Sequence, residues 1–179
     1  CRLVKFIKDN PISTRVLMWF RQDLRLRDNP ALSYAADQGH VLPVFIDDQT
    51  CPEQYKLGGA SKWWLGHSLN SLNQSLDDKL HCQIGDAKQI ILDWVKKHNI
   101  TCVVWNRCYE PWQIKRDTDL KQTLKSLGIE VKTFNGSLLW EPWQILKKDQ
   151  TPYKVFNGKR NAKSGIFYGQ FESYYRINT

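Results

Sequence analysis

Four times between residues 16 and 134 a short strand-like run passes into a stretch with helical periodicity and then returns to another such run. Neighbouring strands separated by a helix pair in parallel through right-handed crossovers, because no tight hairpin return is open to them. The predicted fold is therefore a three-layer α/β/α sandwich around a parallel sheet of about five strands. The strands are Val16 to Phe20, Val41 to Ile46, Lys79 to Ile84, Thr101 to Trp105 and Ile129 to Phe134. The last alternates and suits an edge, while Pro43 argues against full pairing of the second.

The intervening helices carry their own start and stop signals. Pro30 to Gln38 begins with Asp28 or Asn29 as N-cap and a first-turn proline, and Gly39 ends it. Ser61 to about Leu80 places Leu65, Leu69, Leu72, Leu76 and Leu80 three or four apart, which predicts a buried face. Gly85-Asp86 leads into Ala87 to His98 with a stripe of Ile90, Ile91, Trp94 and Val95. Pro111 opens the last helix, whose Leu120, Leu124 and Leu127 are expected to face inward before Gly128.

The 179 residues suffice for one substantial core but not for a second large domain. A formal charge of +8 predicts attraction to polyanions without selecting one. No run of about 18 apolar residues is present, and Cys1 to Lys8 is too interrupted by charge for a signal sequence, so a cytoplasmic protein without a membrane segment is expected. The five cysteines lack a close CxxC pair and the four histidines are scattered, so neither a disulfide framework nor a metal site is predicted. Cys82 and Cys102 read as core residues, as do most of the eight tryptophans.

Between the first strand and first helix lies Phe20-Arg21-Gln22-Asp23-Leu24-Arg25-Leu26-Arg27-Asp28-Asn29, a cluster of alternating charge at the carboxyl edge of the sheet, where open α/β folds meet ligands. With the preceding Trp19, this segment resembles the opening motif of the DNA photolyase and cryptochrome family, in which Trp-Phe-Arg, Asp-Leu-Arg and Asp-Asn recur at this spacing. Further likeness follows in order at Gly59-Ala60-Ser61-Lys62-Trp63-Trp64-Leu65, Gly85-Asp86, Asn106-Arg107-Cys108-Tyr109-Glu110-Pro111 and Pro152-Tyr153-Lys154-Val155-Phe156. It covers roughly Arg15 to Phe156 and implies a Rossmann-like antenna domain at 15–134 and the start of an interdomain linker at 135–156. Residues 1–14 and 157–179 are not expected to match the family pattern. The tail from Asn157 mixes basic and aromatic residues, which suits either single-stranded nucleic acid or one loosely packed helix through Phe167, Phe171 and Tyr174.

The resemblance implies light-dependent DNA repair by a larger protein, in which FAD and the lesion pocket belong to a helical domain that this chain lacks. That helical domain is the implied partner. No catalytic residue is therefore assigned, the chain alone is expected to be inactive, and its own contact with DNA is expected to be weak or absent. What remains is an antenna pigment, a deazaflavin, a flavin or a folate, held in the crevice beside the first strand. The implied binding residues are Phe20, Arg21, Asp23 and Leu24 after the first strand, Phe45, Ile46 and Asp47 after the second, Asn106, Tyr109 and Glu110 after the fourth, and Lys62 at the start of the long helix. Folate-binding members carry Asn-Glu where this chain has Trp112-Gln113.

Alternative readings stand beside these. The arginine-aspartate turn suits docking of the helical domain as well as pigment binding, Glu110 suits a helix-start carboxylate, and Phe45 and Ile46 suit the core. A cryptochrome photoreceptor fragment would share the domain. A free-standing nucleotide-binding protein would want a glycine-rich loop, and Arg21 to Asn29 contains no glycine.

Overall fold

A computed structural model of the chain describes residues 14–144 and 146. The predicted N-terminal extension, save Thr14, and the tail at 157–179 lie outside the described residues. The order is β1 (Arg15–Phe20), α1 (Pro30–Gln38), β2 (His40–Asp48), α2 (Gly59–Ser75), β3 (His81–Gly85), α3 (Ala87–Lys97), β4 (Cys102–Asn106), α4 (Pro111–Ser126) and β5 (Glu130–Phe134), with a short 3-10 turn at Glu53–Tyr55. Residues from Leu138 form a second unit, in which Pro142–Gln144 is one 3-10 turn.

All five strands are parallel, in the order β3-β2-β1-β4-β5, so the predicted sheet is the observed one. The chain steps outward from β1 to β2 and β3, then returns to the other side of β1 for β4 and β5. The crossovers therefore diverge between β1 and β4, the switch point at which open α/β folds bind ligands. β2 is interior despite Pro43; β3 pairs with it only from Val44 onward, so the proline precedes that ladder.

Two apolar layers hold the sheet. On one face Leu17, Trp19, Val44, Val103 and Trp105 pack with Ile91 and Val95 of α3 and Leu120 and Leu124 of α4. On the other, Val16, Met18, Phe20, Val41 and Val104 pack with Ala31, Leu32 and Ala35 of α1 and with Leu72 and Leu76 at the end of α2. Trp19 and Trp105 meet edge to face at 5.8 Å. Central β1 is covered on both sides, which is why it reads as an unbroken apolar run.

Four core expectations are corrected. Of the leucine face of α2 only Leu72 and Leu76 are buried, because the helix rests on the sheet through its last turn alone. Leu127, past the end of α4, is 51% exposed. Cys82 is exposed on edge strand β3, whereas Cys102, on β4, is buried. Trp63, Trp64 and Trp143 are each more than half exposed.

Candidate functional site

At the carboxyl edge between β1 and β4, four buried polar residues, Arg21, Asp23, Asn29 and Asn106, share one hydrogen-bond network. One Asp23 carboxylate oxygen accepts the Arg21 backbone N–H at 3.0 Å, and the other accepts the Asn106 amide. The Asn106 amide also donates to Asn29 Oδ1 at 2.8 Å, and the same oxygen caps α1 by accepting the Leu32 N–H at 3.1 Å. Asn29 is thus the N-cap that the sequence allowed, held in place from β4. Arg25 closes the turn by donating to the Asp28 carbonyl and, at 2.5 Å, to the Gly136 carbonyl. A Cβ at Gly136 would stand 2.6 Å from the Asn106 side chain, so only glycine lets that loop pass.

A chain of alternating charges runs beside this network. Arg21 donates to the Asn106 carbonyl and pairs with Asp117 at 2.6 Å; Arg116 pairs with Asp117 at 2.8 Å and with Asp48, at the end of β2, at 2.7 Å. Both guanidinium groups lie against the ring of Trp19, at 4.9 Å for Arg21 and 4.7 Å for Arg116, and Arg116 also lies 4.9 Å from the ring of Trp112. Tyr55 extends the stack on Trp112 at 6.2 Å. Two cations and two carboxylates in alternation offset one another's desolvation. Burial, the largest influence on Asp48, pushes its carboxyl up, but hydrogen bonds from Arg116 and Thr50 outweigh it and hold the group below its ordinary value. Burial pushes the nearby Cys108 thiol up to about 11, so it stays protonated.

Polar capacity is left over at this edge. Trp19 Nε1, Arg21 Nε and Trp112 Nε1 are buried N–H donors without an acceptor, and Glu110 Oε2 is a buried oxygen without a donor. Leaving such a buried group unmet costs on the order of 1–3 kcal/mol.

Of the residues singled out in the sequence, Arg21, Asp23 and Asn106 meet in the network, and Glu110 adjoins it through Gln22, whose amide reaches Glu110 Oε1 at 3.1 Å. Glu110 is also the N-cap residue of α4, without a side-chain capping bond. Phe20, Phe45 and Ile46 are buried, Leu24 packs partly against the α1 face, and Tyr109 is half-buried between β4 and α4. Asp47 is exposed; Asp48, one residue on and on the opposite face, carries the ion pair. Lys62 is exposed on α2, outside the network. Sequence reading missed Asp48, Arg116 and Asp117. Gln113 and Asp117 continue the stripe of Leu120 and Leu124 toward the start of α4, and polar residues prolonging a buried stripe are the signal that points to them.

The family model for DNA photolyase matches residues 16–173. Cryptochrome-2 of Arabidopsis thaliana is 41% identical over 80% of this chain and 24% of its own length. The crystal structure of a bacterial class III photolyase from Agrobacterium tumefaciens is similar with a TM-score of 0.74 and 39% identity, covering 87% of this chain and 32% of that one. The archaeal photolyase from Sulfolobus tokodaii, solved with two FAD molecules and described as implicating a novel light-harvesting cofactor, matches with a TM-score of 0.60 and 30% identity over 68% of this chain and 29% of that one. The chain thus spans about a quarter to a third of the length of these relatives. By sequence and by fold, this chain belongs to the DNA photolyase family and corresponds to its N-terminal α/β domain.

Proposed function

We propose that this chain is the light-harvesting domain of a deoxyribodipyrimidine photolyase and that the crevice between β1 and β4 holds its antenna pigment. One observation carries the reading: the three unpaired N–H donors of Trp19, Arg21 and Trp112 lie among cationic and aromatic side chains at the switch point of the sheet. These residues fit a flat heterocycle rich in acceptor atoms. Arg21, Trp112 and Arg116 would hold it, Phe20, Phe45 and Ile46 would back it, and Asp23 and Asn106 would fix Arg21 in position. When bound, the pigment supplies absorption of light, and the protein supplies its orientation and a dry surrounding. The likeness to a photolyase solved with two FAD molecules favours a flavin among the three pigment classes, and Trp112-Gln113 in place of the Asn-Glu of folate binders points the same way.

Repair of DNA would then be the work of a longer protein whose other domain holds catalytic FAD. A cryptochrome photoreceptor is the second reading, supported by the 41% identity to the Arabidopsis cryptochrome. The purified chain should gain near-ultraviolet or blue absorbance when supplied with FAD, a deazaflavin or a folate, most strongly with FAD. Colourless protein under all three conditions overturns pigment binding, and an unaltered complex in Arg21→Ala removes the assigned role of Arg21.

A further inference from the structure

The two edges of the sheet are finished differently. On β5 the Phe134 carbonyl accepts the Arg107 N–H at 2.8 Å, so Phe134, Lys132 and Glu130 turn their backbone groups toward β4, and Val131 and Thr133 turn theirs outward. That outward side is blunted: the Arg107 guanidinium donates to the Thr133 carbonyl at 2.7 Å, and Glu130 pairs with Lys132 at 3.1 Å. Charged side chains and occupied backbone groups keep an edge from pairing with another chain. β3 has neither device. Its Gly85 carbonyl accepts the Gln49 N–H at 3.0 Å, so by the same alternation Cys82 and Ile84 direct both N–H and C=O away from β2. The strand contains no Lys, Arg, Asp, Glu or Pro, and among the described residues no bond from outside the sheet reaches those two backbones. The side chains of Cys82 and Ile84 share one face, both are exposed, and Ile84 is 76% exposed.

We propose that two copies of this chain join edge to edge through β3, antiparallel about a two-fold axis at Gln83, so that their sheets run on into one. The occupant is a second copy because the strand complements itself under that symmetry. Cys82 of one copy then faces Ile84 of the other, and each such pair exchanges both of its N–H···O bonds. No other register pairs both outward residues: Cys82 on Cys82 sets Ile84 against Leu80, and Ile84 on Ile84 sets Cys82 against Asp86. The apolar side chains of the two copies also meet on one face, which takes the bare isoleucine out of water. Opposite charges flank the strand, exposed Lys79 before it and exposed Asp86 after it, and the axis brings each toward the other's counterpart. Five residues bury well under the roughly 800 Å² per partner of a standard interface. The net charge of +8 also repels a second copy, so the dimer is a weak one, with Kd on the order of 0.1 mM. It does not depend on the pigment.

Sedimentation of the whole chain should show dimer accumulating between about 10 µM and about 1 mM. Ile84→Lys, which sets a charge on the edge at a side chain that is already 76% exposed, should abolish the dimer and leave the melting temperature of the chain unchanged. Cross-linking reads the register. Residues opposed in a hydrogen-bonded pair have Cα atoms about 5.5 Å apart, within reach of a disulfide, whereas Cys82 and its own counterpart stand two positions off and beyond about 7 Å. Mixing the parent with Cys82→Ser/Ile84→Cys under mild oxidation should therefore give about tenfold or more linked dimer than either protein alone, with the bond mapped by mass to positions 82 and 84. A chain that stays monomeric throughout that range overturns the proposal, as does a dimer that Ile84→Lys leaves intact. Equal linkage in the mixture and in the separate proteins overturns it too.

Discussion

Arg21 and Asp117 meet at 2.6 Å across 96 positions of sequence, both largely buried, and tie the end of β1 to the second turn of α4. Neither residue has meaning for the site alone. Asp117 also receives Arg116, so one carboxylate sets two guanidinium groups against Trp19.

Asp117→Ala should therefore destabilise the domain by about 3–5 kcal/mol, because it leaves Arg21 buried without its counter-charge. Replacing both members, Arg21→Met with Asp117→Leu, should recover most of that loss. Urea unfolding of the two variants beside the parent measures it, and a loss under about 1 kcal/mol in Asp117→Ala would show the pair to be energetically idle.

Gly136→Ala should cost about 1–3 kcal/mol although the residue lies in a loop. The added methyl would stand 2.6 Å from the Asn106 side chain, which is itself held by Asp23 and Asn29 and has nowhere to move. The same substitution at Gly66, where a Cβ meets nothing within 4 Å, is the control in a thermal melt.

Stability should fall as the medium is acidified, in two stages. His81 and His98 flank the ring of Trp94 at 5.1 and 4.9 Å. Burial lowers both imidazoles, and for His98 the charges of Lys97, His81 and Arg15 add to it. A lowered folded value means that the unfolded chain takes up the proton first, so their contribution is complete above about pH 6.5 and is lost as pH falls through the folded values. Asp48 adds a second loss beginning near its ordinary carboxylate range and ending below its lowered folded value. Urea midpoints between pH 8 and pH 3 follow both stages, and an unchanged first stage in His98→Gln would remove that residue from the account.

Alkylation at pH 8 should modify Cys82 well before Cys102 and Cys108. Burial pushes both of the latter thiols up to about 11, which leaves very little thiolate and no access. Cys82 is also raised by desolvation but stands exposed on β3. Peptide mapping by mass after timed iodoacetamide treatment gives the order, and early labelling of Cys108 would contradict the burial described for it.

What could be read in advance followed from local periodicity and turn chemistry. The sheet, its parallel sense and a cap at Asp28 or Asn29, which the structure gives to Asn29, all depend on residues close together in sequence. Asp48 did not come through: β2 is buried on both faces, so it shows no alternation from which to tell whether residue 47 or 48 faces α4. The leucines of α2 are less buried than their spacing predicts, because period 3.6 identifies a helix face and says nothing about how much of that face the sheet reaches.

By itself the sequence determined the order of elements and their parallel pairing, since each is a short-range consequence of apolar spacing, caps and glycine stops. Only the tertiary structure decided that Asp48, Arg116, Asp117 and Arg21 form one charge chain around Trp19, and that the start of α2 is left bare. Ion pairs and exposed faces depend on the distance between elements that are remote along the chain, and that distance is set by packing rather than by any local pattern.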